Sequence, residues 1–190
     1  YKFGSSADLG ISASYKFTDW LTADAIVVNG EGYKKIQKND GLMYGLGATL
    51  TPLKGLSMRI YYGLNETTDP TKENKQNLAT FIGYKGKGFS IGSEYNLYKN
   101  DGNIKGNDLY GFSVYGSVKA SKSTDIYARY DNLSSKNDWN KAKDESAIIA
   151  GIQFKLGDYV KIAPNFRMSM PKQDNAENRY MGFVSCYFGF

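Results

Sequence analysis

Residues 179–190 read Arg-Tyr-Met-Gly-Phe-Val-Ser-Cys-Tyr-Phe-Gly-Phe. Side chains of an extended chain alternate between its two faces. Tyr180, Gly182, Val184, Cys186, Phe188 and Phe190 therefore share one side of this segment. Met181, Phe183, Ser185, Tyr187 and Gly189 share the other. Aromatic and β-branched residues fit a pleated surface, so the segment reads as a strand. Chain ends are usually polar and frayed. Here the aromatic strand runs to the last residue, Phe190. Such a strand needs neighbours for its backbone and an apolar medium for at least one face.

The same rhythm recurs toward the N-terminus. Alternating segments fall at 6–17, 20–29, 41–51, 56–66, 77–85, 88–98, 108–119, 124–133, 145–156, 159–169 and 179–190. Short turns (18–19, 52–55, 85–88, 121–123, 157–158) take turns with long connections (30–40, 65–75, 99–107, 134–144, 171–178) that are rich in Lys, Asn, Asp and Gly. Leu9, Ile11, Ala13, Tyr15 and Phe17 line one side of the first segment, and Leu56, Met58, Ile60, Tyr62 and Leu64 one side of a later one. Ile148, Ala150, Ile152, Phe154 and Leu156 repeat the pattern, as do Val160, Ile162, Pro164, Phe166 and Met168. The opposite sides are polar. At 77–85 the two sides are equally apolar, and the alternation leaves the face undecided.

The chain has 190 residues, with Tyr 16, Phe 10, Gly 21 and Pro 4, and a mean hydropathy of −0.49. No apolar run approaches the roughly 20 residues of a membrane helix; the longest, Ala25–Val28 and Ala147–Ala150, are far shorter. A chain that is polar on average, yet aromatic-rich and alternating, suits a wall with lipid on one side and water on the other. Most segments have about the 9–11 residues of a tilted membrane strand. Alternating short and long connections match periplasmic turns and extracellular loops. The expected fold is all-β: a single transmembrane antiparallel β-barrel domain over residues 1–190, with about eleven strands. If Phe190 is periplasmic, the first of these strands starts outside. Bacterial barrels have an even strand number. An odd number of strands is thus expected before Tyr1, making the chain the C-terminal part of a larger barrel.

Two stretches resemble a known family: Lys2-Phe3-Gly4-Ser5-Ser6-Ala7-Asp8-Leu9-Gly10, and Val28-Asn29-Gly30-Glu31-Gly32-Tyr33. With the terminal strand they are similar to outer-membrane porins of the Bacteroidota, broadly grouped with the phosphate-selective O and P porins. The resemblance implies a barrel of about 16 strands, often trimeric, in contact with outer-membrane lipid and lipopolysaccharide and inserted by the barrel assembly machinery. It implies passive diffusion of small solutes or anions, with no cofactor and no reaction. The arginine ladder and lysine cluster of the phosphate channels cannot be placed on this sequence.

The residues themselves set the candidate sites. Lys16, Asp24, Arg59, Glu94, Arg129, Asp131, Lys155, Lys161, Arg167 and Arg179 occupy the polar face and are the pore-lining candidates. With Lys85 they hold more bases than acids, even after Asp8 and Asp125 are added. An excess of positive charge in a narrow aqueous pore favours anions. The competing reading is that these charges pair across strands and only brace the wall. Tyr180, Val184, Phe188 and Phe190 are the candidates for barrel closure and assembly.

Several classes are set aside. The chain has no histidine, the commonest general base and metal ligand. No acid–base constellation replaces it, so an enzyme is not expected. Its one cysteine, Cys186, forms no internal disulfide and reads as a small apolar packing residue. Asn39-Asp40-Gly41 and Asn100-Asp101-Gly102-Asn103 lack full calcium-loop spacing and read as turns. No metal is expected. Gly30-Glu31-Gly32 and Gly86-Lys87-Gly88 lead into no helix and are not phosphate loops. The net charge of +5 is spread along the chain, which argues against nucleic acid. Segment 134–145, with Trp139, is either a solvated loop, a pore constriction or a partner-binding loop. A barrel without transport, or the C-terminal part of a TonB-dependent transporter, remains open as the other reading.

Overall fold

The computed structural model describes residues 8–30, 32 and 41–189. They form β1 (Gly10–Lys16), β2 (Leu21–Val28), β3 (Met43–Leu50), β4 (Leu56–Asn65), β5 (Lys75–Lys85), β6 (Phe89–Lys99), β7 (Leu109–Lys119), β8 (Thr124–Ser135), β9 (Glu145–Leu156), β10 (Val160–Pro171) and β11 (Arg179–Phe188). The strands make one 11-stranded sheet in chain order, each antiparallel to the next. The expected segments and turns fall where these strands and connections lie, within a few residues at each end. Phe190, most of the Lys2–Gly10 stretch, Glu31, Tyr33 and Asn39-Asp40 lie outside the described residues.

Register fixes the faces. Arg59 lies opposite Phe81, Phe81 opposite Glu94, Glu94 opposite Ser113, and Ser113 opposite Asp131. Residues paired across strands point to one face, so Phe81 belongs with the charged side. That resolves β5: Ala79, Phe81 and Gly83 share the polar face, and Leu78, Thr80, Ile82 and Tyr84 the apolar one. Pro164 is outward on β10, where the cross-strand partners skip from Ile162–Phe154 to Asn165–Gly151. Proline has no N–H to give to a ladder.

The sheet has almost no core. Among the described residues, the buried hydrophobic side chains are Val28 and Ala163. A soluble sheet buries its apolar face against a second layer. Here that face is bare, with Ile11 76% and Val184 67% exposed. Along β9, Ile148, Ala150, Ile152, Phe154 and Leu156 are exposed, while Ile149, Gly151, Gln153 and Lys155 between them are half-covered. The sheet thus curls toward its polar face.

Close approach on that inner face depends on glycine. Gly92 is paired with Tyr115. A Cβ at Gly92 would stand 2.8 Å from Cε2 and 3.0 Å from Cζ of Tyr115. At Gly151 it would meet the Tyr127 hydroxyl at 2.6 Å and Asn165 Cβ at 2.8 Å. Inward tyrosine rings therefore lie down over inward glycines and not across the concavity.

β1 and β11 are the sheet's edges, and every described residue of both strands is exposed. Ten antiparallel steps separate them, so they run in the same direction.

Candidate functional site

All ten pore-lining candidates lie on the inner, polar face of the sheet. Most of their charges are paired. Arg59 on β4 reaches across β3 to Asp24 on β2: Nη1 donates to Oδ1 at 2.6 Å and Nη2 to Oδ2 at 2.8 Å. The bridge passes over Gly47, where any Cβ would strike both groups. Thr49 Oγ1 accepts a further bond from Arg59 at 2.9 Å. Arg129 Nε donates to both oxygens of Asp131 at 2.8 Å. Ser113 also donates to Asp131. Lys155 lies 3.3 Å from Asp125. Arg179 on β11 reaches Glu145 on β9 at 3.4 Å and bonds Ser169 on the strand between at 3.1 Å. Lys16 pairs with Asp19 at 2.7 Å in the adjoining turn, and Lys16 holds the Asp19 carboxyl below its usual range.

The remaining candidates are held by neutral groups. Tyr115 donates its hydroxyl to Glu94 at 2.7 Å. Arg167 donates Nε to Asn165 at 2.9 Å and lies 4.4 Å above the Phe183 ring. Lys161 sits 5.3 Å above the Tyr187 ring, opposite Lys155. Opposite charges brace the middle of the wall, and the candidate lysines Lys16, Lys155 and Lys161 lie toward the short turns.

The long-loop rim is tied laterally. Asp8 accepts from the Gly30 and Gly32 N–H groups at 2.9 and 3.1 Å, and Asn65 donates to the Gly30 carbonyl at 3.0 Å. Asn100 donates to the Asn74 carbonyl and Asn103 to the Glu73 carbonyl, each at 2.9 Å. Trp139 Nε1 donates to the Asp108 carbonyl at 2.8 Å. Asp144, 2% exposed, accepts the Ser135 N–H at 2.8 Å and its hydroxyl at 2.8 Å. Lys141 reaches Asp174 at 2.8 Å and is raised above its usual pKa by it. The 134–145 loop is therefore bound back on itself and to both neighbouring loops. Asp101–Asn103 forms a single 3-10 turn, preceded by Asn100 in the left-handed region, in keeping with the turn composition of this stretch. Among the described residues, no group of three or more acidic or cysteine side chains could hold a metal ion.

At the short-turn end, a cleft of about 570 Å³ opens on the inner face. Lys85, Lys119 and Lys155 stand around a floor of small residues, including Ser90 and Ser117. Lys119 was not among the sequence candidates. The signal was present, since it continues the inward series Ser113, Tyr115 and Ser117, but its place beside a turn hid it. Tyr180, Val184 and Phe188 line the outer face of the β11 edge strand with Cys186.

The architecture is that of the outer-membrane porins: an antiparallel all-β sheet, apolar outside and polar within. It is similar over 94% of this chain to a porin refined at 1.8 Å, with a TM-score of 0.68 at 11% identity. It is likewise similar to a loop-deletion mutant of OmpT, an outer membrane protein of Vibrio cholerae, with a TM-score of 0.62, 18% identity and 94% coverage. The NanC porin aligns with a TM-score of 0.54 at 9% identity, over 94% of this chain and 91% of its own. The chain spans 60% of the first of these and 62% of the second. No protein-family model matches the sequence, and no curated protein matches it either.

Proposed function

We propose that this chain forms the larger part of an outer-membrane porin that lets small polar solutes and ions diffuse passively through a water-filled lumen. The observation that carries it is the two-sided wall: exposed apolar residues outward, and braced charges and flattened tyrosines inward. Such a sheet is stable only with lipid outside, and it leaves its inner space open to water. Because β1 and β11 run in the same direction, an antiparallel closure takes an odd number of further strands between them. In this reading the short turns face the periplasm and the long loops the exterior. The outer face meets lipid and lipopolysaccharide, the β11 edge carries the assembly signal read by the insertion machinery, and the barrel functions as a trimer. The motifs near residues 2–10 and 28–33 support a Bacteroidota porin similar to the O and P group. The paired arginines do not support a phosphate ladder.

The pore is weakly anion-selective, because Lys85, Lys119 and Lys161 add positive charge beside the short turns. Reconstitution of the full-length protein in planar bilayers tests this. Stable open channels are expected, with a reversal potential in a salt gradient on the anion side. A barrel without conductance overturns the channel; a cation-side potential overturns only the selectivity.

A further inference from the structure

Register brings four unlike side chains together on the inner face of the last three strands. Arg167 on β10 lies opposite Ile149 on β9 and Met181 on β11. Its Nε donates to Asn165 Oδ1 at 2.9 Å, which turns the side chain back along its own strand. The guanidinium then lies 4.4 Å above the ring of Phe183, the residue paired with Asn165. Asn165 is buried and is held in turn by the Ala163 carbonyl at 3.0 Å and the Ser185 hydroxyl at 3.3 Å. A hydrogen bond and a ring thus fix the plane of the guanidinium before any solute arrives.

Arg167 differs from the other arginines in its charge balance and in its neighbours. Arg59, Arg129 and Arg179 each hold a carboxylate. Arg167, the fourth arginine of the chain, holds none among the described residues. Its Nε is committed to Asn165, and among the described residues neither Nη group has a hydrogen-bond partner. The side chains beside it are apolar, and on this inner face Met181 is 41% and Phe183 44% exposed. Apolar side chains gathered and left exposed mark a binding surface. Tyr127 closes one side. A Cβ at Gly151 would meet the Tyr127 hydroxyl at 2.6 Å and Asn165 Cβ at 2.8 Å, so that hydroxyl stands beside Asn165.

We infer that Arg167, seated on Phe183 between Ile149 and Met181, forms a binding site for aromatic monocarboxylates. The inference rests on the porin reading for its place in a lumen, but binding does not require conduction. With Nε occupied, the guanidinium offers its Nη1–Nη2 edge, which donates to both oxygens of one carboxylate. The apolar neighbours refuse what a bare cation would accept. Phosphate or sulfate must shed water against Ile149 and Met181 and finds no hydrogen bond there. An aromatic ring instead gains by covering those side chains, and the Met181 thioether packs well against a ring edge. A flat ring also has few torsions to freeze on binding. The site therefore selects by the body attached to the charge and not by the charge alone.

Benzoate is the probe, and acetate carries the same charge without the ring. Saturation-transfer NMR on the purified full-length protein reads the binding of each. Benzoate is expected to bind about tenfold or more tighter than acetate, because only the ring covers apolar surface. Arg167→Gln weakens benzoate about tenfold or more through loss of the two charge-assisted bonds. Met181→Ser weakens benzoate and leaves acetate unchanged. Arg167→Lys keeps the charge without the planar fork and also weakens benzoate. Equal affinities for benzoate and acetate overturn the site, even if the protein conducts. Unchanged benzoate affinity in a folded Arg167→Gln variant overturns it as well. Benzoate binding without bilayer conductance keeps the site and removes the channel.

Discussion

Replacing Gly92 by alanine tests whether the inner tyrosines are held down by glycines. The added Cβ would stand 2.8 Å from Cε2, 3.0 Å from Cζ and 3.2 Å from the hydroxyl of Tyr115. All three atoms belong to one ring, so the ring must move or the strands must part. The ring is not free to drift: its hydroxyl is bound to Glu94 at 2.7 Å and Arg129 lies 5.3 Å above its face. Overpacking of this kind costs about 1–3 kcal/mol. Against it, alanine regains roughly 0.5–1 kcal/mol of the backbone entropy that glycine loses in a strand. G92A is therefore destabilising in the native background. In a Tyr115→Ala background the ring is gone, so G92A becomes neutral or stabilising. The coupling between the two sites is on the order of 1–3 kcal/mol. Urea unfolding of the full-length protein in phospholipid vesicles, followed by tryptophan fluorescence, gives the double-mutant cycle. If G92A has the same effect in both backgrounds, the glycine is not seating the ring and the reasoning fails.

Two further outcomes follow from the site and the rim. Arg59→Met leaves the Asp24 carboxylate without its bidentate partner and costs about 1–3 kcal/mol; adding Asp24→Asn recovers part of that loss in the same unfolding assay, whereas strictly additive losses would show that the pair is uncoupled. On the β4–β5 loop, the Thr71 hydroxyl and backbone N–H, with the Lys72 ammonium, hold the Asp69 carboxyl down to about 2. A carboxyl depressed in the folded state adds stability above its unfolded value of about 3.9, and that contribution disappears as pH falls through the folded value. Carbon NMR of the Asp69 carboxyl should give a midpoint near 2, moved upward in Thr71→Val; a midpoint at the ordinary aspartate value in the native protein contradicts the loop geometry.

Most of the fold was readable because membrane walls write their two environments into alternate residues. β9 shows this best: Ile148 to Leu156 in steps of two face outward, with Gln153 and Lys155 between them. Where both sides were apolar, as with Leu78, Phe81 and Ile82, period two carried no information, and only the opposition of Phe81 to Arg59 and Glu94 settled the face. The charge partners were less legible. Asp24 and Arg59 are 35 positions apart and meet only because β3 lies between them with a glycine at the crossing. Counting inward charges therefore overstated the positive field of the wall. Lys119 is hard to find in the sequence because strand ends blur into turns, although its parity with Tyr115 marks it as inward.

The pairing also bears on the proposed selectivity. A wall whose arginines each lean on a carboxylate, an amide or a ring presents little net field to a solute at mid-height. Asp24 with Arg59 and Asp131 with Arg129 neutralise each other within hydrogen-bond distance. In the short-turn cleft three lysines face one lining acid, so the anion preference proposed above would originate at that end. Charge at a mouth is exposed to bulk electrolyte in a way that charge inside a narrow barrel is not. Screening lengths fall from about 30 Å at 0.01 M salt to about 3 Å at 1 M. A mouth-based preference is therefore strong in dilute salt and fades in concentrated salt, whereas a ladder of arginines along the wall would keep its preference.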